Sequence, residues 1–129
     1  MRSLNGPEVT IIDPLAGTTS TDRHSLSLTT AAAGAVVSGF TLQGTYDTSS
    51  STANSALNLS AGVVTNCIIR NNLAGGSGGG IYQSGGLVVD CRFFDNYAIE
   101  HNHGKGGGLY CGDGAVAGTV DRFEKRLAP

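Results

Sequence analysis

The chain has 129 residues and a formal net charge of −2, and only 14% of its residues are charged, against roughly 25% in an ordinary globular domain. That length suits one domain, the scattered Lys and Arg offer no basic stripe to nucleic acid, and no apolar run approaches the ~20 residues of a membrane-spanning helix. Twenty Gly, no Trp and abundant Ser, Thr, Ala, Val and Asn favour short strands joined by tight turns.

Residues 1–7 show no apolar stretch behind their one charged side chain, so any export signal is expected outside this sequence. Residues 9–12 (VTII) read as a strand of a first coil, and Leu26-Ser27-Leu28 as a strand of the next. From there the chain repeats. Val36-Val37-Ser38-Gly39-Phe40-Thr41-Leu42 aligns with Val63-Val64-Thr65-Asn66-Cys67-Ile68-Ile69 and with Leu87-Val88-Val89-Asp90-Cys91-Arg92-Phe93, at offsets of 27 and then 24 residues. Period-2 alternation predicts four inward columns: Val36/Val63/Leu87, Ser38/Thr65/Val89, Phe40/Cys67/Cys91 and Leu42/Ile69/Phe93. A shorter strand holding Leu57, Ile81 or Leu109 precedes Val63, Leu87 or Ala115 by a constant six residues.

Between these strands, residues 46–54 form a polar Ser/Thr-rich excursion. Asn72 and Asn96 follow the main strand at the same spacing, with Thr45 at that place in the first repeat. Asn suits a turn with positive φ, and in register Asn72 and Asn96 are placed to bond each other along a stack. Gly78-Gly79-Gly80-Ile81-Tyr82 and Gly106-Gly107-Gly108-Leu109-Tyr110 are near duplicates. They lack the Lys-Ser/Thr ending and following helix of a phosphate-binding loop, so Gly79 and Gly107 read as parts of tight corners.

A unit of this size cannot bury its apolar face alone and must stack on its neighbours. The expected fold is therefore all-β: a single-stranded parallel β-helix, a solenoid of about four to five coils over residues 1–120, with repeats near 34–45, 57–74, 81–98 and 109–119. The fourth repeat decays, its columns reading Ala115, Ala117, Thr119 and Asp121; a carboxylate in an apolar column predicts that the coils stop before Asp121. Residues 121–129 carry five charges in nine positions and read as a short capping helix or an unrelated terminus. Open ends of such a stack invite self-association.

Candidate chemistry is sparse. Cys67 and Cys91 share a column on adjacent coils, which suits either a disulfide or, as the favoured reading, two reduced thiols packed as small apolar groups. Cys111 has no evident partner, and no Cys shows metal-ligand spacing. The third interval is four residues longer than the second and holds Glu100, His101, His103 and Lys105. This stretch is expected to protrude as an exposed, solvated loop and is the candidate binding site; a transition metal held by its two His and Glu is the less favoured reading. Asp90 and Asp95 share a coil, with Asn66 and Asn71 at the matching places one coil earlier, so no acidic cluster forms across coils. No catalytic residue, metal ligand or cofactor is assigned.

The pairing of Gly78-Gly79-Gly80-Ile81 with Phe93-x-x-Asn96 resembles the repeats of the polymorphic outer membrane protein family. Residues 5–13 and 35–42 also look like large bacterial right-handed β-helix proteins of the pectate-lyase-like superfamily. The resemblance spans roughly residues 4–117. It implies a right-handed winding and a secreted or surface-displayed, adhesin-like scaffold fragment whose loops contact glycans or a host or cell-surface protein. The alternative it implies is a fragment of a polysaccharide lyase or glycoside hydrolase. Related pectate lyases use Ca²⁺ held by carboxylates with an Arg base, and polygalacturonases use clustered Asp.

Overall fold

The computed structural model describes residues 1–13, 26–28, 34–46, 55–75, 78–98, 107–112, 116–117 and 120–125. Its strands are β1 (Ile11–Ile12), β2 (Leu26–Leu28), β3 (Val36–Ser38), β4 (Thr41–Gln43), β5 (Leu57–Leu59), β6 (Val63–Thr65), β7 (Ile68–Arg70), β8 (Leu73–Ala74), β9 (Ile81–Gln83), β10 (Leu87–Val89), β11 (Cys91–Ala98), β12 (Leu109–Cys111), β13 (Val116–Ala117) and β14 (Val120–Lys125). No helix occurs among the described residues.

The strands assemble into three sheets, ordered β2-β5-β9-β12, β3-β6-β10-β13 and β1-β4-β7-β11-β14, with β8 joined to β11. Every pairing between these strands is parallel. Taken along the chain, β5, β6 and β7 supply one strand to each sheet in turn, and β9, β10 and β11 do the same one coil later. Three-residue strands are too short to stand alone; each is held by ladder bonds to a neighbouring coil.

The corners explain why the strands are so short. Gly39, Asn66 and Asp90 occupy equivalent places and all have positive φ, at 83°, 50° and 52°. Gly reaches this region freely, and Asn and Asp are the side chains that tolerate it best. A second left-handed corner follows at Gly44, Asn71 and Asp95. Beyond it the chain bends again, Tyr46 bridging Leu73 and β8 pairing with the end of β11.

The first corner also corrects two of the expected columns. Val37, Val64 and Val88 are 2%, 0% and 0% exposed and point inward, whereas Val36, Val63, Leu87, Ser38, Thr65 and Val89 are half-buried. Strand alternation does not carry through a left-handed residue, so the inward set shifts by one between β3 and β4, and likewise in the later coils. Past the corner, Phe40, Cys67 and Cys91 are buried, as are Leu42, Ile69 and Phe93. With Leu57, Leu59 and Ile81 they form one continuous core between the three sheets. A fully buried Leu, Ile or Phe contributes about 1.5–3 kcal/mol, so a three-high column is a major source of stability.

The C-terminal part departs from expectation. In place of a capping helix, residues 120–125 form β14, which pairs with β11. Val116 and Ala117, not Ala115, supply the register partners: Leu87 faces Val116 and Val88 faces Ala117. The register then shifts between Cys91 and Arg92, so that Phe123, not Asp121, stands opposite Phe93. The extra residue lets β14 pair with β11 past the predicted stop.

The glycine runs are explained by crowding. A Cβ on Gly79 would lie 2.1 Å from the Tyr97 carbonyl oxygen and 2.5 Å from that of Gly107. A Cβ on Gly107 would lie 2.7 Å from the Asn96 carbonyl oxygen. Adjacent coils therefore approach here through bare backbone.

Candidate functional site

The candidate loop residues Glu100, His101, His103 and Lys105 lie outside the described residues. Among the described residues, no three His, Cys, Asp or Glu side chains are grouped to hold a metal ion. No helix among them is long and apolar enough to cross a membrane.

The most developed polar array is interior. Asn72 and Asn96 are buried, one position beyond the second corner, with Thr45 buried at the same place one coil earlier. The residues with positive φ are their neighbours Asn71 and Asp95, so the turn role falls one residue earlier than the sequence pattern assigns it. Asn72 Nδ2 donates to Asn96 Oδ1 at 2.9 Å and to the Leu42 carbonyl at 3.1 Å, while its Oδ1 accepts from the Thr45 amide at 3.1 Å. Asn96 Nδ2 donates to the Ile69 carbonyl at 2.8 Å. Each amide thus ties its coil to the one before, in a dry setting where a missing partner is costly.

The sulfur pair lies at the first corner. Cys67 and Cys91 are buried, free thiols on adjacent coils, one residue before the register pair Ile68 and Arg92. Cys67 Sγ donates to the Thr65 carbonyl at 3.2 Å, and Cys91 Sγ to the Val89 carbonyl at 3.3 Å. Hydrogen-bond coupling to its partner thiol draws Cys67 down to about 7 and pushes Cys91 well above the ordinary thiol range, with burial adding to the rise. Only one of the two can therefore ionise readily.

Several contacts escape a pattern search. Gln83 is fully buried in the column of Leu59; its Nε2 donates to the Gly86 carbonyl at 2.9 Å and its Oε1 accepts from Cys111 Sγ at 3.2 Å. Cys111 is exposed, and partial burial raises its pKa. Tyr82 and Tyr110 stack with centroids 5.1 Å apart and planes 19° from parallel. The duplicated Gly-Gly-Gly-Ile-Tyr and Gly-Gly-Gly-Leu-Tyr segments were the sequence signal for that stack.

The N-terminal residues pack against β3 and β4. Thr41 Oγ1 donates to the Pro7 carbonyl at 2.6 Å, the Thr41 amide to the Thr10 carbonyl at 2.8 Å, and the Ser3 amide to the Ser38 carbonyl at 2.9 Å. Arg92 reaches Glu8 at 2.6 Å in an exposed ion pair that screening keeps weak. A side-chain chain runs from Asp13 to Gln43 at 2.9 Å and on to Arg70 at 2.9 Å.

No curated protein and no solved structure matches this chain. Residues 66–84, from the corner before β7 to just past β9, match the Chlamydia polymorphic membrane protein repeat, and this coil is similar to a unit of that repeat.

Proposed function

We propose that the chain is a segment of a right-handed parallel β-helix, wound as in the pectate-lyase-like superfamily, from a secreted or surface-displayed adhesin-like protein. Its work is structural: the stack presents residues 99–105, of which Glu100, His101, His103 and Lys105 contact a glycan or a cell-surface protein. The supporting observation is the match of residues 66–84 to the polymorphic membrane protein repeat, set in a molecule whose three sheets are all parallel. An outer-membrane or surface location is consistent with that match. Residues 1–120 act as one unit, and β14 closes onto it. Open sheet edges at the ends of the stack favour association with further coils or copies.

The test is binding of the purified chain to a glycan array and to host-cell surfaces, beside a variant with those four residues replaced by Ala. Saturable binding lost in the variant supports the reading. Turnover of an acidic polysaccharide in the presence of Ca²⁺, abolished by Asp90→Asn or Asp95→Asn, would overturn it in favour of a lyase or hydrolase fragment.

A further inference from the structure

Cys67 and Cys91 sit at equivalent places on neighbouring coils, which the ladder bond from Arg92 N to Cys67 O joins at 3.0 Å. Parallel partners lie ~4.8 Å apart, within the ~4.4–6.8 Å Cα range that a disulfide spans. Both thiols bond the carbonyl two residues before their own, so the two side chains share one orientation. They are 1% and 0% exposed. Cys111 belongs to another sheet and bonds Gln83, so it does not compete for either sulfur in the folded chain.

We propose that Cys67 and Cys91 are a redox-closable link between two successive coils, open as a dithiol and closed by exchange with a small external disulfide. The Cys67 thiolate attacks one sulfur of R–S–S–R, and the expelled R–S⁻ takes up the proton that Cys67 released. The Cys91 thiol then loses its proton as its sulfur attacks Cys67 in the mixed disulfide, and a second R–SH leaves. Two protein thiols are oxidised to one S–S bond, and the external disulfide is reduced to two thiols. The coupling that favours ionisation of Cys67 over Cys91 sets this order of attack. Burial means that exchange waits on local opening of the coil, so closure is slow in the folded protein. Once formed, the bond closes a 24-residue loop and restricts the unfolded chain.

The experiment incubates the full chain with oxidised glutathione in buffer and in sub-denaturing urea, then alkylates it in strong denaturant for peptide mass mapping. A Cys67–Cys91 linked peptide, two hydrogens lighter and reversed by dithiothreitol, is expected. It should appear more slowly than the glutathione adduct on Cys111 and faster in the urea-containing sample. The linked form should unfold at higher urea than the dithiol form. Cys111→Ser should leave the link intact, and Cys91→Ser should abolish it while circular dichroism still reports strand. Cys67 and Cys91 both remaining alkylatable after prolonged oxidation would overturn the proposal. So would a link to Cys111, or closure only in fully denaturing urea.

Discussion

Replacing Asn72 with Leu isolates the value of the interior amide column. Leucine has the heavy-atom skeleton of asparagine, with methyl groups for the amide O and N, so the change opens no cavity. It removes three hydrogen bonds: those to Asn96 Oδ1, to the Leu42 carbonyl and from the Thr45 amide. Stripping a partner from a buried polar group costs about 1–3 kcal/mol, and the central value for three is about 6 kcal/mol. Burying the leucine side chain offsets about 2 kcal/mol of that. The net loss should be about 4 kcal/mol. Urea unfolding of the full chain, followed by far-UV circular dichroism, reads this as a lower midpoint with an unchanged slope. The adjacent Asn71→Gly supplies the contrast. Asn71 is exposed with φ of 53°, a conformation glycine adopts without strain, so its stability should be unchanged or slightly raised. Asn72→Leu falling within about 0.5 kcal/mol of wild type, the range of ordinary surface changes, would refute the reasoning.

Val64→Ala should cost about 2 kcal/mol and Val63→Ala less than about 1 kcal/mol, because only Val64 is fully buried; the reverse order in urea unfolding would restore the uninterrupted alternation. Gly79→Ala should cost about 3 kcal/mol by forcing coils apart at the Tyr97 carbonyl, while Gly34→Ala, with nothing within 4 Å, should be close to neutral. In the native chain iodoacetamide should modify Cys111 alone, and the rate should climb at a pH above the ordinary thiol midpoint, since burial raises that pKa and thiolate is the reacting form. Fast native-state labelling of Cys91, followed by peptide mapping, would contradict its place in the core.

Much of the architecture was legible because stacking makes neighbours of residues one coil apart. The offsets of 27 and 24 residues that align Leu42, Ile69 and Phe93 in sequence are the same offsets that separate hydrogen-bonded strands. The expected inward face of the strand before the corner was wrong because strand alternation is a rule for extended backbone. Gly39, Asn66 and Asp90 look like ordinary alternate residues until their φ angles are known. The end of the stack was misjudged for a related reason. A one-residue register shift near Asp121 is invisible to column counting, yet it lets Phe123 replace the carboxylate opposite Phe93.

The candidate site was far less legible. Glu100, His101, His103 and Lys105 stand out only by composition and by the length of their interval. Contacts across the coils, such as Arg92 with Glu8 or Gln83 with Cys111, join residues 84 and 28 positions apart that no local pattern relates.

Taken alone, the amino-acid order determined that the chain is all-β, that its units repeat, and which residues recur at each level of the stack. Local periodicity and turn chemistry are short-range properties and survive in a linear string. Tertiary structure alone decided which face of each short strand turns inward, that the left-handed turn falls on Asn71 and Asp95, and how far the sulfurs of Cys67 and Cys91 are shielded. Those outcomes depend on the direction in which the chain leaves each corner, and the neighbouring coils set that direction through their ladder bonds.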